Sequence, residues 1–136
     1  MPYDTFDPST ARQHQDTGWV YVDVRSPPEF AQGHPEGAVN VPVFFATPGG
    51  MAPNPDFLDA MRKLYPTGTP LLLGCKSGVR SARACEILEA AGYTRLANVD
   101  GGFHGSPFTP GWLAAGLPTS TTGKTWDQVK GGAGAP

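Results

Sequence analysis

Charged residues are scarce in this 136-residue chain, at 16% against the ~25% usual for soluble domains. Neither sign gathers in one place. The 10 Lys and Arg face 12 Asp and Glu for a net charge of -2, and no basic run exists that could neutralise a line of phosphates. Nucleic acid is therefore not an expected partner. No run approaches the ~20 apolar residues of a membrane span, and the opening Met1-Pro2-Tyr3-Asp4 lacks the basic and apolar regions of a secretory signal. The expectation is a soluble, cytoplasmic protein with no membrane partner.

Cysteine is limited to Cys75 and Cys85, so one disulfide is the maximum. The two fall on a strand end and in the middle of the helix that follows, a placement that argues against pairing. With three histidines and no Cys-x-x-Cys or His-x-x-x-His spacing there is no zinc signature. Walker A and Gly-x-Gly-x-x-Gly are missing too. No metal and no nucleotide cofactor are expected.

Glycine and proline are plentiful, 18 and 15 residues, near the level at which low-complexity disorder sets in. The 39% hydrophobic residues, seven Phe and three Trp among them, nevertheless fall in short dense runs. Those runs can offset the ordering entropy. Gly and Pro then punctuate many short elements of a single domain, which the length predicts. Its expected extent is 1–119. Past Thr119 the chain is rich in Ser, Thr, Gly and Lys, and 120–136 is read as a flexible tail.

Val20-Tyr21-Val22-Asp23-Val24-Arg25 is a β-branched and aromatic run that predicts a strand. Ser26-Pro27-Pro28-Glu29 then supplies an N-cap, a proline at the first helical position and a capping-box glutamate. Ala38 to Pro42 reads as a second short strand and Thr47 to Pro53 as a Gly/Pro-rich loop. Asn54-Pro55 caps a helix carrying Phe57, Leu58, Met61 and Leu64 at helical spacing. Leu71-Leu72-Leu73-Gly74-Cys75 is apolar without alternation, the pattern of a strand covered on both faces, and it is expected at the centre of a parallel sheet. From Ser81 a helix presents Ala84, Cys85, Leu88 and Ala91 on one face, and Gly92 stops it. Leu96 to Val99 is a further strand and Trp112 to Ala115 a last helical turn. Strands alternating with helices predict an α/β fold, a mostly parallel central sheet with helices on both faces.

In such sheets chemistry collects beyond the C-terminal strand ends. Cys75 stands at one of them, and Lys76-Ser77-Gly78-Val79-Arg80-Ser81 leads from it directly into a helix. Backbone N–H groups turning toward one point at a helix N-terminus form an anion cup. Its field, with Lys76 and Arg80 beside it, favours a thiolate over a thiol. Gly78 suits the tight loop, and Ser77 and Ser81 add hydroxyl donors. The competing reading is a buried, inert thiol, the commonest fate of a free cysteine.

The segment Cys75-Lys76-Ser77-Gly78-Val79-Arg80-Ser81 resembles the active-site loop of the rhodanese-like sulfurtransferases. Asp23-Val24-Arg25, Glu29-Phe30, Gly33-His34, Gly37-Ala38 and Asn40-Val41-Pro42 are similar to that family's upstream signature. Gly101-Gly102, Trp112 and Gly116-Leu117-Pro118 resemble its C-terminal one. Pro35 and a longer link at 105 to 111 depart from the pattern, and the link is expected to reshape one pocket wall. The resemblance implies the family's three-layer fold and a persulfide on Cys75, drawn from thiosulfate or another small anionic sulfur donor. Residues 76 to 81 would bind the donor, and a thiol or thioredoxin-like protein would accept the sulfur. The alternative is a non-catalytic sulfur-relay or binding module acting with a protein partner. Phosphatases and arsenate reductases on related folds rank third, because in the family pattern four residues between Cys and Arg, here 76 to 79, mark sulfur transfer and five mark phosphoryl chemistry.

Asp23 and Arg25 lie two apart on one strand face and can support the site. An ion pair bracing the loops is the preferred reading. His34 is assigned to hydrogen bonding in a turn, His104 to the surface and Cys85 to the core. Phe44, Phe45, Phe103 and Phe108 flank loops and can line a pocket mouth, with packing as the default.

Overall fold

Leu71, Leu72 and Leu73 are all fully buried, so side chains on both faces of this strand are covered. A computed structural model of the chain describes residues 3–131. The elements are β1 (Asp4–Phe6), α1 (Pro8–Asp16), β2 (Val20–Asp23), α2 (Pro27–Gln32), β3 (His34–Pro35), β4 (Val39–Asn40), β5 (Phe44–Thr47), β6 (Gly50–Pro53), α3 (Phe57–Leu64), β7 (Leu71–Gly74), α4 (Val79–Ala90), β8 (Leu96–Val99), β9 (Thr119–Ser120) and α5 (Trp126–Lys130). Five strands make the central sheet in the order β1-β8-β7-β2-β4, with every neighbouring pair parallel. As expected, β7 takes the centre.

Alternation along the strands sorts the core into two layers. Leu71 and Leu73 join Val22, Val24 and Leu96 on one face, against Phe57 and Met61 of α3, Ala84, Cys85 and Leu88 of α4, and Trp126 and Val129 of α5. Leu72 joins Tyr21, Ala97 and Val99 on the other, against Ala11 of α1, Phe30 of α2 and Trp112. By the same period-two rule, Cys75 and Asn98 share the face of α4 with Leu73 and Leu96. Gly74 faces the other way, where a Cβ would fall 1.8 Å from the Tyr21 hydroxyl, so the chain has no room for a side chain just before the cysteine. Among the described residues, no helix is long and apolar enough to cross a membrane.

Several expectations need correction. Residues 120 to 131 are not a tail: β9 pairs antiparallel with β3, and α5 buries Trp126 to 3% exposure in the first core layer. The rest of the expected tail, 132 to 136, lies outside the described residues. Thr47 to Pro53 is not a loop throughout: Thr47 ends β5, and Gly50 to Pro53 form β6, which pairs antiparallel with it in a hairpin. Helix α4 starts at Val79, two residues ahead of the expected Ser81, and Trp112 to Ala115 forms turns and no helix. The additional elements at the start, β1 and α1, extend the sheet by an edge strand and cover it with a helix capped by Asp7, whose carboxylate accepts the Thr10 N–H at 2.7 Å.

Candidate active site

Cys75 leaves the C-terminal end of the central strand and is 2% exposed, at the bottom of a loop closed by the first turn of α4. Gly78 is the helix N-cap with φ +111°, in the left-handed region that glycine reaches without a steric cost. This conformation turns the Gly78 N–H back onto Cys75 Sγ at 3.1 Å. Ser81 Oγ lies 3.4 Å from the same sulfur. Among the described residues, no partner in the chain takes the backbone N–H groups of Lys76, Ser77, Val79, Arg80 or Ser81. Unpaired N–H groups in a loop that enters a helix N-terminus, with one neighbouring N–H already on the sulfur, are what an anion cup requires. At the rim, Lys76 is exposed, Ser77 is half-buried and Val79 is 77% exposed.

The cup is held from below by the turn after β8. Phe103 N–H donates to the Cys75 carbonyl at 2.8 Å and His104 N–H to the Lys76 carbonyl at 2.9 Å. Asn98 Nδ2 donates to the Gly78 carbonyl at 3.2 Å, and Asn98 Oδ1 accepts from Ser81 Oγ at 2.5 Å. Asn98 was not among the sequence candidates. Its signal was one amide in an otherwise apolar strand run, Leu96-Ala97-Asn98-Val99, where a buried polar side chain must have partners.

Arg80 is not free at the cup mouth. Its Nη1 and Nη2 donate to the two carboxylate oxygens of Glu29 at 2.8 and 3.0 Å. Glu29 Oε1 also accepts from the Ser26 N–H and hydroxyl, at 3.1 and 2.8 Å, so the capping box expected of it doubles as an anchor for the loop. Burial pushes the Glu29 carboxyl up, but hydrogen bonds from Arg80 and Ser26 and the Arg80 charge outweigh it and hold the group at about 2. A depressed carboxyl stabilises the fold above its unfolded value near 4.5, and the contribution is lost as pH falls toward 2. Glu29→Gln therefore lowers stability at pH 7 by about 1–2 kcal/mol after allowance for solvent screening. In denaturant melts the gap to the wild type closes between about pH 4.5 and 2. A gap constant with pH would assign Glu29 to packing alone.

Asp23 and Arg25 form the ion pair that the sequence reading preferred. Arg25 Nη2 meets Asp23 Oδ2 at 2.7 Å with both side chains buried, and the same nitrogen donates to the Gly33 carbonyl at 2.7 Å. The guanidinium lies 4.6 Å from the centre of the Phe103 ring, which joins this brace to the turn beneath the cup. Asn40 Nδ2 donates to the Asp23 and Arg25 carbonyls and fixes the strand end. His34 is fully buried, with its ring nitrogens 2.8 Å from the Phe30 carbonyl and 2.6 Å from the Thr122 carbonyl, in the hydrogen-bonding role expected for it. His104 is exposed, as read. A cavity of about 300 Å³ is walled by Arg25, Glu29, Phe103, His104 and Leu113. The 105 to 111 link, expected to shape a pocket wall, does not line this cavity, and its Phe108 is 93% exposed.

Comparison with known proteins decides the family. A family model described as the rhodanese-like domain matches residues 7–106. The chain belongs to the rhodanese-like domain family. It is 40% identical over 102 residues to thiosulfate sulfurtransferase 16, chloroplastic, of Arabidopsis thaliana, across 75% of this chain and 80% of that protein. It is 30% identical over 122 residues to the thiosulfate sulfurtransferase GlpE of Haemophilus influenzae, across 90% of this chain and 99% of the relative. Among solved structures, Rv0390 from M. tuberculosis superposes with a TM-score of 0.76 at 29% identity, over 90% of this chain and 100% of that one. The rhodanese-like fold expected from the sequence is thereby established, and sulfur transfer is supported at the level of the family.

Proposed function

We propose that this rhodanese-like protein is a thiosulfate or persulfide sulfurtransferase that carries sulfur on Cys75. The observation that carries the reading is the Gly78 N–H on Cys75 Sγ at 3.1 Å, at the head of α4 and among unpaired loop N–H groups. The Cys75 thiolate attacks the outer sulfur of thiosulfate, the S–S bond of the donor breaks, and sulfite leaves with the electron pair. The new persulfide sulfur, negatively charged, takes the loop N–H groups as donors. An acceptor thiolate, or cyanide in an assay, then attacks that sulfur and returns Cys75 to the thiolate. Lys76, exposed at the rim and outside every ion pair among the described residues, supplies a charge for an anionic donor. Arg80 has committed two of its five N–H groups to Glu29 and offers the others.

Intact mass spectrometry before and after thiosulfate, with and without cyanide, tests this directly. The expected result is a gain of one sulfur atom that cyanide removes. Hydrolysis of an aryl phosphate faster than sulfur loading would overturn it in favour of phosphoryl chemistry. The relay alternative has its own support at the cup rim, where the apolar Val79 is 77% exposed. Loading without thiosulfate:cyanide turnover would select that alternative.

A further inference from the structure

The Ser81 hydroxyl carries a single hydrogen and has two claimants, Asn98 Oδ1 at 2.5 Å and Cys75 Sγ at 3.4 Å. All three groups are buried. The shorter contact takes the hydrogen while the sulfur is a thiol, and Ser81 Oγ then presents a lone pair to the S–H. Once the sulfur is negative that lone pair is repelled, and the hydroxyl must turn toward Sγ, leaving Asn98 Oδ1 without its donor. The other end of the same amide holds the Gly78 carbonyl at 3.2 Å, which fixes the peptide whose N–H already points at Sγ.

We infer that Asn98 is a positioning residue of the Cys75 site: it competes with the sulfur for the Ser81 hydrogen and sets how strongly the cup stabilises negative sulfur. The inference rests on Cys75 as the reacting atom. It deepens the proposed sulfur transfer by assigning the balance between thiol and anionic sulfur to a buried residue of β8 that acts through Ser81 and Gly78. A weak claim from Asn98 would leave Ser81 as a permanent donor to the persulfide. A strong claim makes that donor available only against the loss of a buried hydrogen bond, which favours release of the sulfur to an acceptor.

The test is a double-mutant cycle on the pH dependence of Cys75 alkylation by iodoacetamide, a neutral electrophile, read by peptide mass and with melting curves as the folding control. No sulfur donor enters, so a protein that never loads sulfur still reports on Asn98. Asn98→Ala is expected to move the alkylation midpoint down by about one pH unit with Ser81 present, because a released hydroxyl donates to the anion. In a Ser81→Ala protein the same change is expected to move it by less than about a third of that. If Asn98→Ala does not fold, Asn98→Ser replaces it with the same expectation. Tyr21, Cys85 and Arg80 interact electrostatically with Cys75, and these residues, with the Arg80 partner Glu29 and with Asp23 and Lys76, are kept in every variant, so their fields cancel in the comparison. Equal shifts with and without Ser81, or no shift in either, would overturn the inference and leave Asn98 a brace for Gly78 only.

Discussion

Cys75→Ser is expected to abolish sulfur loading from thiosulfate while the protein still folds, and Cys85→Ala to retain most of the activity. Serine preserves the shape of the Cys75 side chain and leaves an oxygen to accept the Gly78 N–H, so the cup persists. It removes the only atom that can form a persulfide there. Cys85 is fully buried on the face of α4 that packs on the sheet, and burial, with Glu89, Glu86 and Cys75 adding negative charge, pushes its thiol up to about 12. At neutral pH it is a small apolar side chain, and truncation to alanine costs on the order of 1 kcal/mol of stability. Intact mass after thiosulfate treatment reads the loading, and circular dichroism reads the fold. A Cys85→Ala protein that folds but no longer turns over would demand a second cysteine in the mechanism.

What the sequence discloses here depends on how local the determining interactions are. The central strand and the cup were legible because an unbroken apolar run and the glycine-bearing turn after it lie within eleven residues, Leu71 to Ser81. The Arg80–Glu29 pair was not, because it joins residues 51 apart and both had an adequate local explanation, a rim cation and a capping box. Asn98 was hidden for a related reason: its partners, Gly78 and Ser81, come together with it only when β8 packs beside β7 and α4. The C-terminal segment is a different case. Composition alone suggested a tail, yet Thr125-Trp126-Asp127-Gln128 carries a capping box that was readable, and the structure forms it, with Thr125 N–H on Gln128 Oε1 at 2.9 Å and Gln128 N–H on Thr125 Oγ1 at 3.2 Å. Trp126 and Val129, three apart, then supply the apolar stripe of a one-turn helix. Helix α1 likewise announced itself in Asp7-Pro8, but only Pro8 and Ala11 of that helix are buried, too few for a periodic signal.

Gly102→Ala is expected to cost about 2–4 kcal/mol of stability and to lower sulfurtransferase turnover on the order of 100-fold. Two effects contribute. At φ +55° an alanine pays the left-handed cost of roughly 1–2 kcal/mol. Its Cβ would also fall 2.4 Å from the Cys75 carbonyl oxygen and 2.8 Å from the Lys76 carbonyl carbon, and both are backbone atoms. They cannot move aside separately, because the Phe103 and His104 N–H groups hold the same two carbonyls at 2.8 and 2.9 Å. The turn and the cup must therefore part together, which draws the Cys75–Lys76 peptide and the Gly78 N–H out of register with the sulfur. A displacement of about 1 Å is enough for the predicted loss of rate. Gly116→Ala separates the two effects, since Gly116 has φ +72° and nothing within 4 Å of an added Cβ. That variant should show the conformational cost in its melting temperature and wild-type thiosulfate:cyanide kinetics. If Gly102→Ala matched Gly116→Ala in both measurements, the close approach of the glycine turn to the cysteine loop would have no part in positioning the cup.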